Sequence, residues 1–294
     1  MKSKLIPLLY ITLHLCAQGA WAQVPDGSDM HLPRTPFRLQ SRAEVQLPPA
    51  VDNSTRKFFP PILDQMGGSC AQASGIGYMF TYEINRLLDR DAHASADHRF
   101  SYQFSWNLLN DGQDQGDFVD QGLYLSERYG IMTEQDYGIS GTYQFKWATG
   151  YDKYYKALQY RTQEVLTFTD SIPLMKRWLY DAGDGSAVGG VLTFSAMSRG
   201  WEIDDDYQGP SLTGYRSLLK GLATDGAHAL TIAGYDDTVV YTDAQGTPHT
   251  GAFIVVNSWG THSHDRGRFY LPYDFFRDTR VPEQQLGSTV EAIR

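Results

Sequence analysis

Three residues could share one piece of chemistry: Cys70, His228 and Asn257. Cys70 ends the stretch Gln65-Met66-Gly67-Gly68-Ser69-Cys70, where two glycines lead from a Pro-broken extended segment into an apolar-periodic run. The spacing of Ile76, Phe80, Ile84, Leu87 and Leu88 predicts a helix to about Leu88, with those residues on its core face and Cys70 at its start. A thiol there is favoured as thiolate, because unpaired N–H groups and the helix dipole stabilise negative charge. A cysteine nucleophile needs a base beside it and a third group to orient that base. His228 opens one apolar run, through Tyr235, and Asn257 closes another, from Gly251. An antiparallel hairpin that sets His228 opposite Asn257 sets Gly234 opposite Gly251. It also pushes residues 235–250 out as a side excursion, turned at Asp243-Ala244-Gln245-Gly246. Taken singly, the same residues read as a buried structural cysteine, a strand-opening histidine and a turn asparagine.

The elements that must position them follow from periodicity. Apolar or amphipathic runs at 100–109, 118–129 (stopped by Gly130) and 172–180 predict a buried segment and two helices. Strands are expected at 165–169, 188–194, 228–235, 239–242, 252–257 and 269–271. Helices first and strands last argue for an α+β fold in two lobes. Residues 58–280 form the expected domain, helical over about 58–165 and β-rich over about 166–280. The acidic run Asp204-Asp205-Asp206 lacks the spaced ligand pattern of a calcium loop and reads as a solvated loop.

The N-terminus reads as an export leader. Lys2 and Lys4 precede an apolar run too short to span a bilayer, and Ala20-Trp21-Ala22 is a small-residue cleavage site, so residues 1–22 are expected to be removed. Of two cysteines, Cys16 lies in that leader, which leaves Cys70 unpaired, a flag for a reactive thiol in an exported chain. Residues 23–57 are Pro-rich and read as a linker or short prosegment, residues 281–294 as a tail. Asn53-Ser54-Thr55 fits a glycosylation triplet. The net charge of −9 with no basic block leaves no footprint for a nucleic-acid partner. No later stretch is apolar enough for a membrane anchor. No metal site or cofactor is expected. His262 and His264 alternate as if on a strand, with no third ligand evident.

At this point the chain resembles the papain-like cysteine peptidases, in a bacterial-type variant, over roughly residues 58–280. The resemblance rests on Gln65…Ser69-Cys70 opening a helix, on His228-Ala229 leading to Gly234-Tyr235-Asp236, and on Asn257-Ser258-Trp259-Gly260-Thr261 followed by Gly267-Arg268-Phe269-Tyr270. It implies a helical lobe and a β lobe with a cleft between them, and a peptide or protein substrate. Cys70 would be the nucleophile, His228 base and acid, Asn257 its orienter, and Trp259 a cover over that bond. Gln65 would complete the oxyanion hole with the Cys70 backbone N–H. Gly67, Gly68, Gly116 and Asp117 would line the substrate cleft. Departures exist: Gln65 is five positions before the cysteine where the family usually has six, and Ala71 replaces the aromatic after it. Other thiol acyl-transfer chemistry on the same scaffold, such as aminopeptidase or amide-forming activity, or a papain-fold binding protein, would carry the same residues.

Overall fold

The computed structural model describes residues 32–39, 45–139, 147–168, 171–242, 246–279 and 290–294. The stretch read as an export leader, residues 243–245 of the expected turn and most of the stretch read as a tail lie outside the described residues.

The expected helix begins at Cys70. It runs as α1 (Cys70–Gln72), a wide-turn π-helical segment (Ala73–Phe80) and α2 (Thr81–Leu88). In the π-helical segment an added Cβ at Gly77 would meet Leu63 at 2.5 Å, and one at Gly75 would meet Val119 at 2.8 Å, so glycine there permits close packing. Ile76 and Phe80 are fully buried, but Leu87 is 78% exposed and Leu88 48%. The π-helical turns rotate the last residues off the face that strict 3.6 periodicity predicted. Then come α3 (Tyr102–Leu109), α4 (Val119–Tyr129) and α5 (Tyr151–Ala157). Gly130 ends α4 at φ +69.

Ten strands of the described residues form one sheet. They are β1 (Arg34–Pro36), β2 (Ala50–Asp52), β3 (Val165–Phe168), β4 (Leu192–Arg199), β5 (Glu202–Asp204), β6 (Leu218–Gly221), β7 (Asp225–Thr242), β8 (Pro248–Val256), β9 (Arg268–Pro272) and β10 (Val290–Ile293). Their order is β1-β3-β10-β4-β7-β8-β9-β6-β5, with β2 paired to β7. The β1–β3 and β6–β9 pairs are parallel. Helix α6 (Ile172–Asp181) lies between β3 and β4 in the chain, and α7 (Tyr273–Thr279) follows β9.

Three expectations change. The 23–57 stretch supplies β1 and β2, and Val290–Ile293, from the stretch read as a tail, pairs with both β3 and β4. The β7–β8 pairing runs on past Tyr235: Thr231 pairs Val256, Gly234 pairs Ile254 and Thr242 pairs Pro248, so residues 240–242 and 248–250 pair with each other in the sheet and do not stand out as an excursion. Two register shifts, at Ile232/Gly234 and Asp236/Val240, absorb the mismatch that the sequence reading assigned to an excursion. Asn53 is 1% exposed and its amide donates to Leu179 O and Gly190 O, both at 2.8 Å, so its triplet presents no acceptor nitrogen at the surface.

Two large clusters share β7. Phe59, Tyr78, Phe80, Phe100, Tyr102 and Leu123 pack with Ala229 and Ala233, while Trp178, Phe194, Phe253 and Phe269 pack with Leu230 and Ile232. Alternation along the strand thus sends Ala229 and Ala233 to the helices and Leu230 and Ile232 to the other cluster. Behind Cys70, the Ser74 hydroxyl meets Thr193 Oγ1 at 2.6 Å and Thr231 Oγ1 at 2.9 Å, which ties the helix to β4 and β7.

Candidate active site

Cys70 heads α1, and His228 lies near the start of β7. Both line one cavity of about 250 Å³, with Gly116, Asp117, Phe118, Thr193 and Ser195 among its walls. The structure therefore brings the thiol and the imidazole to one concavity from positions far apart in the chain. The His228 ring is 5% exposed, and its Nε2 faces Asn257 Oδ1 at 2.9 Å. Trp259 stacks on that ring, with centroids 4.6 Å apart and planes at 24°. Trp259 is itself 40% exposed, so the indole stands between the imidazole and solvent.

Asn257 is fully buried and each polar group has a partner. Its N–H donates to Gly267 O at 2.9 Å, and its C=O accepts from the Tyr78 hydroxyl at 2.9 Å. Its Oδ1 also accepts from Ser258 N–H at 2.8 Å, and its Nδ2 faces His264 Nε2 at 3.2 Å. Residue type and spacing alone pointed to neither Tyr78 nor His264. His264 lies in a turn at φ +54, not on the strand that His262/His264 alternation suggested, because Gly260 and Gly267 at positive φ fold the segment back. Among the described residues no group of three or more His, Cys, Asp or Glu is arranged to hold a metal ion.

Gln65 stands outside the cavity lining. Its Nε2 donates to Gly67 O at 2.9 Å, its Oε1 accepts from the Ser258 hydroxyl at 2.5 Å, and its N–H donates to Ser258 O at 2.7 Å. With Gly260 N–H on Leu63 O at 2.9 Å, these bonds fasten the loop before Cys70 to the segment after Asn257. Gly67 turns that loop at φ +53. Gly68 brings it against residues 115 and 116, where an added Cβ would sit 2.6 Å from the Gln115 carbonyl carbon. Gly68 N–H donates to Asp114 Oδ1 at 2.8 Å, and Trp106 Nε1 donates to Gln115 O at 3.0 Å, which seats the Gly116-Asp117 wall.

Burial dominates the electrostatics. It pushes the Cys70 thiol above its usual value; Asp117 adds to that, while backbone N–H groups of Ala229, Ala71 and Cys70 itself oppose it. The helix-start preference for thiolate is therefore outweighed by burial. Burial lowers His228 to about 4, with the Asn257 bond opposing and His264 adding to the drop. Both shifts favour the neutral forms, thiol and imidazole. Asp117 lines the cavity, but both carboxyl oxygens are buried with no partner at hydrogen-bond distance. Burial raises this carboxyl to about 8, only partly offset by the neighbouring Gln72 amide. The sequence reading also missed the cavity's ion cluster: Arg34 of β1 meets Asp120 of α4 at 3.1 Å and Glu291 of β10 at 2.7 Å.

The described residues have a mixed α and β fold with one large sheet, and that fold is shared with a solved cysteine protease. The structure is xylellain from Xylella fastidiosa, similar at a TM-score of 0.55 and 20% identity over 85% of this chain and 87% of that one. At that identity the likeness is one of fold. No protein-family model matches the chain, and no curated protein matches it.

Proposed function

We propose that this chain is an exported cysteine-type peptidase with a papain-like two-lobe arrangement. It would hydrolyse peptide bonds through a thioester on Cys70. The observation that carries the reading is the single cavity lined by Cys70 and His228, with Asn257 2.9 Å from the imidazole. Cys70 Sγ attacks the substrate carbonyl carbon as His228 takes the thiol proton. His228 passes that proton to the leaving amine nitrogen as the C–N bond breaks. Water then attacks the thioester, giving one proton to His228, which returns it to the departing sulfur. Because burial keeps His228 neutral above about pH 4, it is available as a base at neutral pH. The Cys70 backbone N–H and the second N–H of the Gln65 carboxamide are the donors proposed for the oxyanion. The apolar leader supports export, with mature protein starting near Gln23.

A papain-fold binding protein is the second reading. It is favoured by the Gln65 carboxamide, which is tied to Gly67 and Ser258 outside the cavity lining. Labelling with an epoxide electrophile, read by mass spectrometry between pH 4 and pH 8, separates the two. The peptidase gives an adduct at Cys70 that is lost in Cys70→Ala and forms about a hundredfold more slowly in His228→Ala. No adduct at any pH in that range assigns the chain to binding.

A further inference from the structure

Asn257, the residue that faces the candidate base, is itself held from behind. Its Oδ1 accepts from Ser258 N–H at 2.8 Å, which marks that end of the amide as the oxygen. The nitrogen end must then donate, and Nδ2 lies 3.2 Å from His264 Nε2. For that bond His264 Nε2 must carry a lone pair, so the ring proton sits on Nδ1. His264 Nδ1 in turn lies 3.7 Å from Asp205 Oδ1, an oxygen that the Ser217 hydroxyl holds at 2.6 Å. Phe269 packs edge-on to the His264 ring at 5.0 Å, and Trp259 is tilted over it at 6.3 Å. By the same logic His228 carries its proton on Nε2, facing Asn257 Oδ1, and leaves its Nδ1 lone pair open.

We propose that His264 is a positioning residue: as a neutral acceptor it locks the Asn257 amide, and through it holds His228 in the Nε2–H tautomer able to take a proton on Nδ1. The effect on turnover rests on the peptidase reading; the tautomer itself does not. A proton on His264 Nε2 would set N–H against N–H at this contact and break the chain of bonds. Burial favours the neutral ring, against the pull of Asp205. The charged groups around it are few. Asp205 faces it from the loop after β5, and His264 in turn acts on His228 of β7. In its own turn, Asp265 bonds Arg216 N–H, and Arg266 pairs with Asp265. The acidic run Asp204-Asp205-Asp206 thus has three separate tasks, since Asp204 pairs with Lys220 and Asp206 with Arg216.

The test uses the full chain and two variants that share the same backbone demand at φ +54, His264→Gln, whose carboxamide oxygen still accepts, and His264→Phe, which cannot. Two-bond ¹⁵N–¹H correlation spectra, which distinguish the protonated from the bare ring nitrogen, should find His228 as the Nε2–H tautomer in wild type and His264→Gln. They should find a tautomer mixture in His264→Phe. Peptide turnover should fall about tenfold in kcat for His264→Phe with KM within about twofold, and stay within about threefold for His264→Gln. The acid limb of log kcat should drop with a slope of about two in wild type and about one in His264→Gln, because one of two coupled protonations is gone. An unchanged His228 tautomer in His264→Phe, or equal loss of kcat in both variants, overturns the proposal. If wild type cleaves no peptide, the peptidase reading falls, and the tautomer comparison alone decides the role of His264.

Discussion

Asp117 is the residue at which burial and chemistry disagree most. Its carboxyl oxygens are buried with no partner at bonding distance, and the group titrates near 8 where an unfolded chain would titrate near 4. Between those values the unfolded chain has released a proton that the folded chain keeps. Stability should therefore fall as pH rises from about 4 to about 8 and level off beyond. Asn in its place cannot titrate. Asp117→Asn should be more stable than wild type by about 1–3 kcal/mol at pH 8, with little advantage at pH 4.5. Denaturant unfolding at the two values measures this, and an equal difference at both would mean that the carboxylate finds a partner in solution. The residue was visible in the sequence as part of Gly116-Asp117. Its inward, protonated state was not, because that depends on what packs over it.

At the scale of elements, the loop before Cys70 is placed by backbone against backbone. Gly68 has no room for a side chain beside residues 115 and 116, whereas an added Cβ at Gly116 would meet only Gly68 O, at 3.8 Å. Gly68→Ala should cost about 1–3 kcal/mol and slow alkylation of Cys70 by disturbing the loop that carries it, while Gly116→Ala should cost under about 1 kcal/mol. Thermal melts and iodoacetamide labelling of the two variants check the contrast; equal effects would show that the two loops do not rest on each other. The helix at Cys70 and the strands at His228 and Asn257 were legible from hydrophobic spacing. The register between β7 and β8 was not. Two bulges shift it, and a bulge leaves no period for a sequence reading to find.

For the whole molecule, the ends of the described chain are part of the sheet. Val290 and Ala292 are fully buried, Ile293 is 2% exposed, and Glu291 reaches Arg34 at the cavity. Ile293→Ala should lower stability by about 2–5 kcal/mol, and deletion of residues 290–294 should abolish cooperative unfolding, since β3 and β4 would lose the strand between them. A deletion variant that melts as wild type does would make the segment a tail after all.

The sequence by itself determined which groups could react and the elements that carry them: a cysteine opening a helix, a histidine opening a strand, an asparagine closing one, and a tryptophan two positions on. These are local facts, written in residue type and periodicity. Only the tertiary structure decided their company: His264 behind Asn257, Tyr78 on its carbonyl, Asp117 stripped of partners, and Arg34 and Glu291 drawn from the two ends of the described chain to one cavity. Those contacts join residues from seven to more than two hundred positions apart, and burial, which shifts Cys70, His228 and Asp117 toward their neutral forms, is a property of the packed molecule and not of any stretch of chain.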